Sequence, residues 1–118
     1  MMEFVTDPVV IIIGPDRFKL ADDFICKVYD FTIIVPADFQ SDLDSVPRIP
    51  IAYLMLKNRC PRSGLLHDYL YSVGEYPRSI CDSIFNCSMQ TENLPAWARG
   101  LIYSGVRIGG ASHYNKHG

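Results

Sequence analysis

The first third of the chain alternates apolar and polar positions in the way that β-strands do. A β-branched run, VVIIIG, is closed by the turn signal GPD and followed by the short alternating piece RFKL. A longer segment, FICKVYDFTIIVPADF, keeps apolar residues at alternate positions around Phe24, Cys26 and Val28 and on to Val35. We therefore predict two to four antiparallel strands, in a meander or hairpin, within about residues 8–40.

The last half of the chain changes to the spacing of amphipathic helices. Three helices are predicted, over about residues 62–73, 77–90 and 95–109. Pro77 and Pro95 suit the starts of the second and third helices, because the first N–H groups of a helix have no intrahelical partner to lose. The Gly-rich end of the chain is predicted to be flexible.

A polar loop separates the two halves. Two closely spaced prolines, Pro47 and Pro50, forbid a regular helix across it. We expect an α+β fold, in which a small N-terminal antiparallel sheet packs on about three C-terminal helices. The expected single domain, residues 1–118, divides into a β-rich part (about 8–40), a polar loop (41–61), a helical part (62–110) and a flexible tail (111–118).

Composition indicates a chain that can bury a core, with 48% hydrophobic and 20% charged residues. The formal net charge is −2 and the Lys and Arg residues are scattered, so nucleic acid is not an expected partner. The apolar run near the N-terminus is short and has no basic segment before it. It therefore predicts neither a secretory signal nor a transmembrane segment, which needs about 20 apolar residues, and we expect synthesis in a cytoplasm.

The cysteines lie at positions 26, 60, 81 and 87 and form no C-x-x-C pair. Cys81 and Cys87 point about 120° apart on the second predicted helix, so they should not bridge each other. Free thiols packed as small hydrophobic groups are the main expectation. A zinc site that combines Cys60, Cys81 or Cys87 with a histidine is the alternative, although the spacing typical of zinc ligands is missing.

The residues that could carry a reaction lie in the first predicted helix, in the stretch GLLHDYLYSVG. On a wheel at about 100° per residue, His67, Asp68 and Tyr71 fall outside the apolar arc and are expected to form the polar edge of a cleft. If the first two helices are antiparallel neighbours, Asp82 on the second faces His67. An Asp that accepts from the ring N–H makes the His a better base, but structural hydrogen bonding explains the same residues without catalysis.

The third helix carries small residues at Gly100, Ser104, Gly105 and Gly109. Each Gly costs about 1 kcal/mol relative to Ala in a helix interior, which predicts a compensating close approach of another backbone. Packing against the sheet or the first helix is one interpretation of this face. A homo-oligomer or a ligand contact through the same face is the other.

The pattern H-D-x-x-Y, followed by D-x-x-F on a second helix, resembles the calcium-dependent phospholipases A over a short stretch. The resemblance implies His67 as the general base, Asp68 as a calcium ligand, and Tyr71 and Asp82 as hydrogen-bonding partners of the base. The Gly-rich calcium loop, the disulfide framework and the secretory signal of those enzymes have no counterpart in this sequence.

A second resemblance runs from about residue 17 to residue 110. The segments VPADF, SDLDSVPR, GLLHDYLY and RSICD are similar to the pattern of a family found mostly in tailed bacteriophages and prophages, family 1353 of the domains of unknown function. Asp38, Ser41, Asp44 and Cys81 depart from that pattern, which has Gly, Thr, Ala and Ala there. The resemblance implies a phage protein made in a bacterial cytoplasm, with one polar cluster formed by Asp42, Ser45, Arg48, His67, Asp68, Arg78 and Asp82.

Three functions fit these observations. The first is a virion or tail-associated component in which the polar cluster is structural and which contacts other virion proteins or itself. The second is a small hydrolase of the host envelope, peptidoglycan or lipid, with His67 as base beside Asp82 and Tyr71, and with a divalent cation such as calcium at Asp68 as an option. The third is a host-takeover protein that binds a bacterial protein.

Overall fold

The computed structural model describes residues 2–14, 17–41, 61–109 and 114. Its strands are β1 (Met2–Phe4), β2 (Val10–Gly14), β3 (Arg17–Leu20), β4 (Phe24–Val28), β5 (Phe31–Val35) and β6 (Gln40–Ser41). Its helices are α1 (Pro61–Val73), α2 (Arg78–Thr91) and α3 (Ala96–Gly109). The α+β class is confirmed, and β1 and β6 are additions that are too short to show an alternating pattern.

The strands form two antiparallel sheets of three strands each, with the orders β1-β4-β5 and β2-β3-β6. β4 and β5 make a tight hairpin, in which Val28 pairs with Phe31. Tyr29 and Asp30 form its turn, and Tyr29 has a φ of 53°. Two-residue hairpin turns commonly need this left-handed conformation because it matches the twist of the strands.

The core lies between the first sheet and the helices. β4 buries Phe24, Cys26 and Val28 and leaves Lys27 exposed, which is the alternation that the sequence predicts. The helices add the buried apolar residues Leu65, Leu66, Leu70, Ile84, Phe85, Met89, Ala98, Ile102 and Val106.

Successive helices run antiparallel to each other. Arg62 at the start of α1 bonds Glu92, which directly follows α2. Tyr71 near the end of α1 bonds Arg78 at the start of α2. Arg78 also bonds the carbonyl oxygen of Val106 near the end of α3. Short connections between helices favour this arrangement, and it brings the end of α1, the start of α2 and the end of α3 together.

Residues with a left-handed backbone conformation follow the first two helices. Gly74 follows α1 with a φ of 66° and donates its N–H to the carbonyl of Leu70. Asn93 follows α2, also with a φ of 66°, and the next N–H, of Leu94, bonds the carbonyl of Met89. Gly and Asn are the residues that most readily adopt this conformation after a helix, so these two positions fix the turns between the helices.

α1 is buried on more than one side, which corrects one expectation from the helical wheel. His67 is 0% exposed and Tyr71 1% exposed, so neither lies at the edge of an open cleft. The Tyr69 ring packs edge-on against Phe39 at 5.4 Å on the sheet side. His67 and Tyr71 point the other way, towards α2. α1 therefore contacts the region of β6 on one side and α2 on the other.

Gly100 and Gly109 of α3 do not mark a close backbone approach in the described part of the chain. A Cβ atom built at Gly100 or Gly109 meets nothing within 4 Å. Both positions and Ser104 are exposed, and Gly105 is half-buried. The expectation of packing against the sheet or α1 is wrong at Gly100 and Gly109, because α3 presents its other face, with Ala98, to the core.

β2 has an unusual exposure for an apolar strand. Among the strands that the structure describes, it lies at the edge of the second sheet, next to β3. Val10, Ile11, Ile12 and Ile13 are all exposed, and Ile12 is 75% exposed. An uncharged edge strand of this kind offers both apolar side chains and backbone hydrogen-bonding groups to another chain.

Among the residues that the structure describes, no helix combines the length and the apolar character needed to span a bilayer.

A buried histidine–aspartate cluster as the candidate functional site

The centre of the candidate site is a contact between α1 and α2. His67 Nε2 lies 2.8 Å from Asp82 Oδ1, and both side chains are 0% exposed. This is the contact that antiparallel packing of the two helices predicts from the sequence. A carboxylate at this distance fixes the ring orientation and holds the proton on Nε2.

Aromatic rings enclose the imidazole. The Tyr71 ring lies 4.1 Å from the His67 ring, centroid to centroid, and the Phe85 ring is stacked on it at 4.4 Å. One ring comes from the next turn of α1 and the other from the next turn of α2. A substrate can reach His67 only if the side chains that cover it move.

Tyr71 bonds two charged groups of α2. Its hydroxyl donates to Asp82 Oδ1 at 2.6 Å and accepts from Arg78 Nε at 3.1 Å. Arg78 Nε lies 4.0 Å from Asp82 Oδ2, one helical turn away. The tyrosine therefore bridges a cation and a carboxylate while its own oxygen stays buried.

α3 supplies a second cation from its last turn. Arg107 Nη1 donates to Asp82 Oδ2 at 2.7 Å. Arg78 of α2 makes a second connection to α3, because its Nη2 donates to the carbonyl oxygens of Val106 and Arg107. A guanidinium group on the last carbonyls of a helix also complements the negative end of the helix dipole. The cluster thus ties the end of α3 to α2.

The electrostatics of the pair follow from burial and from hydrogen bonding. Burial disfavours the imidazolium form and lowers the pKa of His67 despite the nearby Asp82. Burial alone raises the pKa of Asp82, but hydrogen bonds from His67, Tyr71 and Arg107 outweigh it and hold that pKa below its ordinary value. At neutral pH the site therefore contains an ionised Asp82 and a neutral His67.

Other titratable groups of the interior stay protonated. Burial raises the pKa of Tyr71 well above its ordinary value. It also raises the pKa of Cys26 to about 12 and that of Cys81 to about 11. Cys26, Cys81 and Cys87 are free thiols, in line with the expectation of packed cysteines. The high pKa values of Cys26 and Cys81 make these two thiols poor nucleophiles and poor metal ligands.

Asp68 contacts a different element from its neighbour His67. Its Oδ2 accepts from the Ser41 hydroxyl at 2.6 Å, which joins α1 to β6. Asp68 is half-buried and Ser41 is 3% exposed. Within the described ranges, no three His, Cys, Asp or Glu side chains lie together in a way that could hold a metal ion.

The structure brings together three members of the predicted cluster, His67, Arg78 and Asp82, and adds Tyr71, the predicted partner of the base. The predicted members Asp42, Ser45 and Arg48 lie outside the described residues, as do Cys60 of the alternative zinc site and residues 111–118 apart from Tyr114. Tyr114 packs its ring edge-on against Tyr71 at 5.4 Å.

The sequence analysis did not predict the role of Arg107, and it identified Phe85 only as the last residue of the D-x-x-F pattern, not as a ring packed on His67. Arg107 looks like an ordinary basic residue in the last turn of a helix, where it would offset the dipole of its own helix. Only the docking of α3 beside the start of α2 shows that it reaches Asp82. Phe85 lies three residues after Asp82, so the (i, i+3) relation places both on one face of α2 and could have suggested the ring contact.

A second polar cluster holds the start of α1. Glu92 Oε1 accepts from the backbone N–H of Ser63 at 2.9 Å and from its hydroxyl at 2.7 Å. Glu92 Oε2 and Asp7 Oδ1 both accept from Arg62. Free N–H groups at a helix start favour a carboxylate. Glu92 therefore serves as a cap from a distant part of the chain.

Residues 18–106, three-quarters of the chain, match the family described as "Protein of unknown function (DUF1353)". The protein therefore belongs to this family of unknown function, as the resemblance of its segments predicts. A search of curated proteins and a search of solved structures each found no significant match. The matched range contains the whole His67–Asp82 contact but ends just before Arg107.

Proposed function

We propose that this protein is a non-catalytic component of a bacteriophage particle, associated with the tail, in which the His67–Asp82 cluster holds the helical half together. One observation carries the structural role of the cluster. His67 and Asp82 are 0% exposed and bonded to each other, and the remaining bonds of Asp82 go to Tyr71 and Arg107 on the neighbouring helices.

The cluster has the properties of a device that specifies one packing arrangement. An ionised carboxylate inside a protein costs several kcal/mol of desolvation unless hydrogen bonds compensate for it. Asp82 has donors from α1 and from α3. Only one relative placement of the three helices satisfies all of them, so the network disfavours other packings of the same apolar faces.

The exposed strand β2 supports a role in assembly. A component of a particle needs surfaces that lose water when its neighbours arrive. Ile11 and Ile12 of β2 are exposed side chains on an edge strand, and such strands commonly add to the sheet of a partner. The phage context itself rests on the sequence resemblance to a phage and prophage family.

Mass spectrometry of purified virions tests the proposal directly. We expect peptides of this chain in particles from the phage or induced prophage that encodes it, at a fixed ratio to the tail proteins. Absence from the particles, together with stable recovery of a bacterial protein on the tagged chain from infected cells, would instead support the host-takeover function.

A hydrolase is the second candidate, because the 2.8 Å contact between His67 Nε2 and Asp82 Oδ1 is the geometry of a His–Asp pair in general-base catalysis. The test measures release of products from peptidoglycan and from phospholipid vesicles, with and without calcium. Catalysis predicts that His67→Gln abolishes turnover while the melting temperature changes little. A substantial fall in the melting temperature of the same variant, without any turnover by the wild type, favours the structural function.

A further inference from the structure

The outer face of α3 carries an apolar stripe, which we define as Trp97, Leu101 and Ile108. These residues lie four and seven positions apart, so they share one side of the helix. Their exposed fractions are 63%, 42% and 86%. The core-facing side is a separate row that includes Ala98, so the helix is apolar on two faces rather than one.

The part of the chain that contains this stripe differs in charge from the rest. From residue 93 to the end there are three cations, Arg99, Arg107 and Lys116, and no Asp or Glu, which gives +3. The preceding 92 residues hold the other 8 of 11 cations and all 13 acids, which gives −5 and accounts for the total of −2. An acidic protein therefore presents its exposed helical stripe within a segment that carries cations and no carboxylate.

We infer that α3 docks on the surface of an anionic lipid bilayer, with the stripe entering the interface. Helices of this kind pair an apolar face with Lys and Arg and lie in the plane of the headgroups. Trp is favoured at that depth because its ring is both apolar and polar. Arg107 lies beside the stripe, and 37% of its side chain remains exposed although it bonds Asp82.

A lipid surface fits the stripe better than a second copy or an acidic protein does. In α3 there is no carboxylate, so two copies of the helix would meet with cations only. Gly100 and Ser104 have small side chains or none, so the surface between the larger side chains has little relief. A protein partner would find few features on it for shape complementarity. A bilayer needs no such complementarity, and each cation near an anionic leaflet adds to binding.

The chain carries its own reporter, because Trp97 is its single tryptophan. The probe is a vesicle of phosphatidylcholine alone or of phosphatidylcholine with about one-third phosphatidylglycerol. With the anionic vesicles we expect a blue shift of tryptophan emission and co-sedimentation of the full-length protein. Binding should be about tenfold tighter than to phosphatidylcholine alone and should weaken as salt is raised.

Ile108→Ser removes the most exposed side chain of the stripe and should weaken binding to the anionic vesicles about fivefold or more. Ile34→Ser is the matched control, since Ile34 is an equally apolar residue that is 48% exposed on β5, and it should bind as the wild type does. Melting temperatures of both variants verify that each is folded before binding is compared.

Three results would overturn the inference. One is equal binding to the two vesicle types or no binding at low salt. Another is a concentration-dependent dimer that Ile108→Ser abolishes and Ile34→Ser does not, which would assign the stripe to a second copy. The third is a blue shift of Trp97 with an acidic protein but not with vesicles. None of these results bears on whether the chain is present in virions.

Discussion

The helical half and strand β2 differ in which side chains they bury and which they expose. In the helical half the polar groups of His67, Tyr71 and Asp82 are inside, at 0–1% exposure. On β2 an isoleucine, Ile12, is outside at 75% exposure. A buried polar group is stable only when its partners are already present, whereas an exposed apolar strand gains stability when a partner arrives. The buried polar groups therefore stabilise one folded arrangement of this chain, whereas the exposed strand is the surface on which the proposed role in assembly rests.

Asp82→Ala should have the largest effect, because the carboxylate is the shared acceptor of His67, Tyr71 and Arg107. Its loss leaves buried donors without an acceptor. We expect a loss of about 3–5 kcal/mol in the free energy of unfolding, measured by urea denaturation. Asp22→Ala, at an exposed position, is the control and should stay within about 0.5 kcal/mol. A similar small effect for Asp82→Ala would contradict the proposed structural role.

Tyr71→Phe tests one arm of the cluster while keeping the ring. The substitution deletes the hydroxyl that donates to Asp82 and accepts from Arg78. We expect a loss of about 1–3 kcal/mol, seen as a lower melting temperature. Tyr29→Phe is the matched change at a side chain that is 70% exposed, and it should be close to neutral. Equal changes in melting temperature for the two variants would show that the buried hydroxyl of Tyr71 contributes no more to stability than the exposed hydroxyl of Tyr29.

Acidification should weaken the folded state at pH values at which Asp82 is still ionised. Because burial lowers the pKa of His67, the unfolded chain binds a proton there at pH values at which the folded chain does not. The free energy of unfolding should therefore fall as pH drops below 6.5, the ordinary pKa of His, by at most about 1.4 kcal/mol for each pH unit. The pKa of Asp82 is also lowered, so its contribution holds above its ordinary value of 3.8 and is lost only at lower pH.

Urea denaturation from about pH 7.5 to about pH 5 measures this slope. His67→Gln keeps an N–H donor for Asp82 but cannot titrate, so its profile should be flatter than that of the wild type over the same range. Parallel profiles for the two proteins would mean that another group causes the acid sensitivity.

Ile12→Lys should have the smallest effect on stability and the largest on assembly. Ile12 is exposed, so the change should alter the free energy of unfolding by no more than about 0.5 kcal/mol. A charge on an edge strand opposes pairing with another strand, so incorporation into particles should fall. The comparison uses the melting temperature and the amount of tagged protein recovered in virions. A large drop in melting temperature would mean that β2 already packs against its own chain.

Much of the fold can be predicted from the sequence, because periodicity reports which face is covered. The alternation of Phe24, Cys26 and Val28 is reproduced in β4, and the starts of α2 and α3 follow Pro77 and Pro95. The contact of His67 with Asp82 also follows from helix spacing and a short connection. These features depend on the geometry of single helices and strands and of the short connections between them.

The remainder depends on which elements dock and on which side. The wheel of α1 separates His67 and Tyr71 from the apolar arc, but it cannot show that α2 covers them. The Gly residues of α3 indicate a close approach, yet Gly100 faces away from the core. The role of Arg107 requires the placement of a third helix. Whether a polar residue is inside is a property of the assembled tertiary structure, and periodicity records only the helix or strand itself.

The cap at the start of α1 has a consequence for the order in which the helices can form. Ser63 receives its carboxylate from Glu92, 29 residues later in the chain. The whole of α1 and α2 precedes Glu92 in the chain, and until Glu92 reaches Ser63 the first turn of α1 lacks this acceptor. This cap can therefore form only after α2 has folded back along α1, so the first turn of α1 depends on a contact from the far end of the helical hairpin.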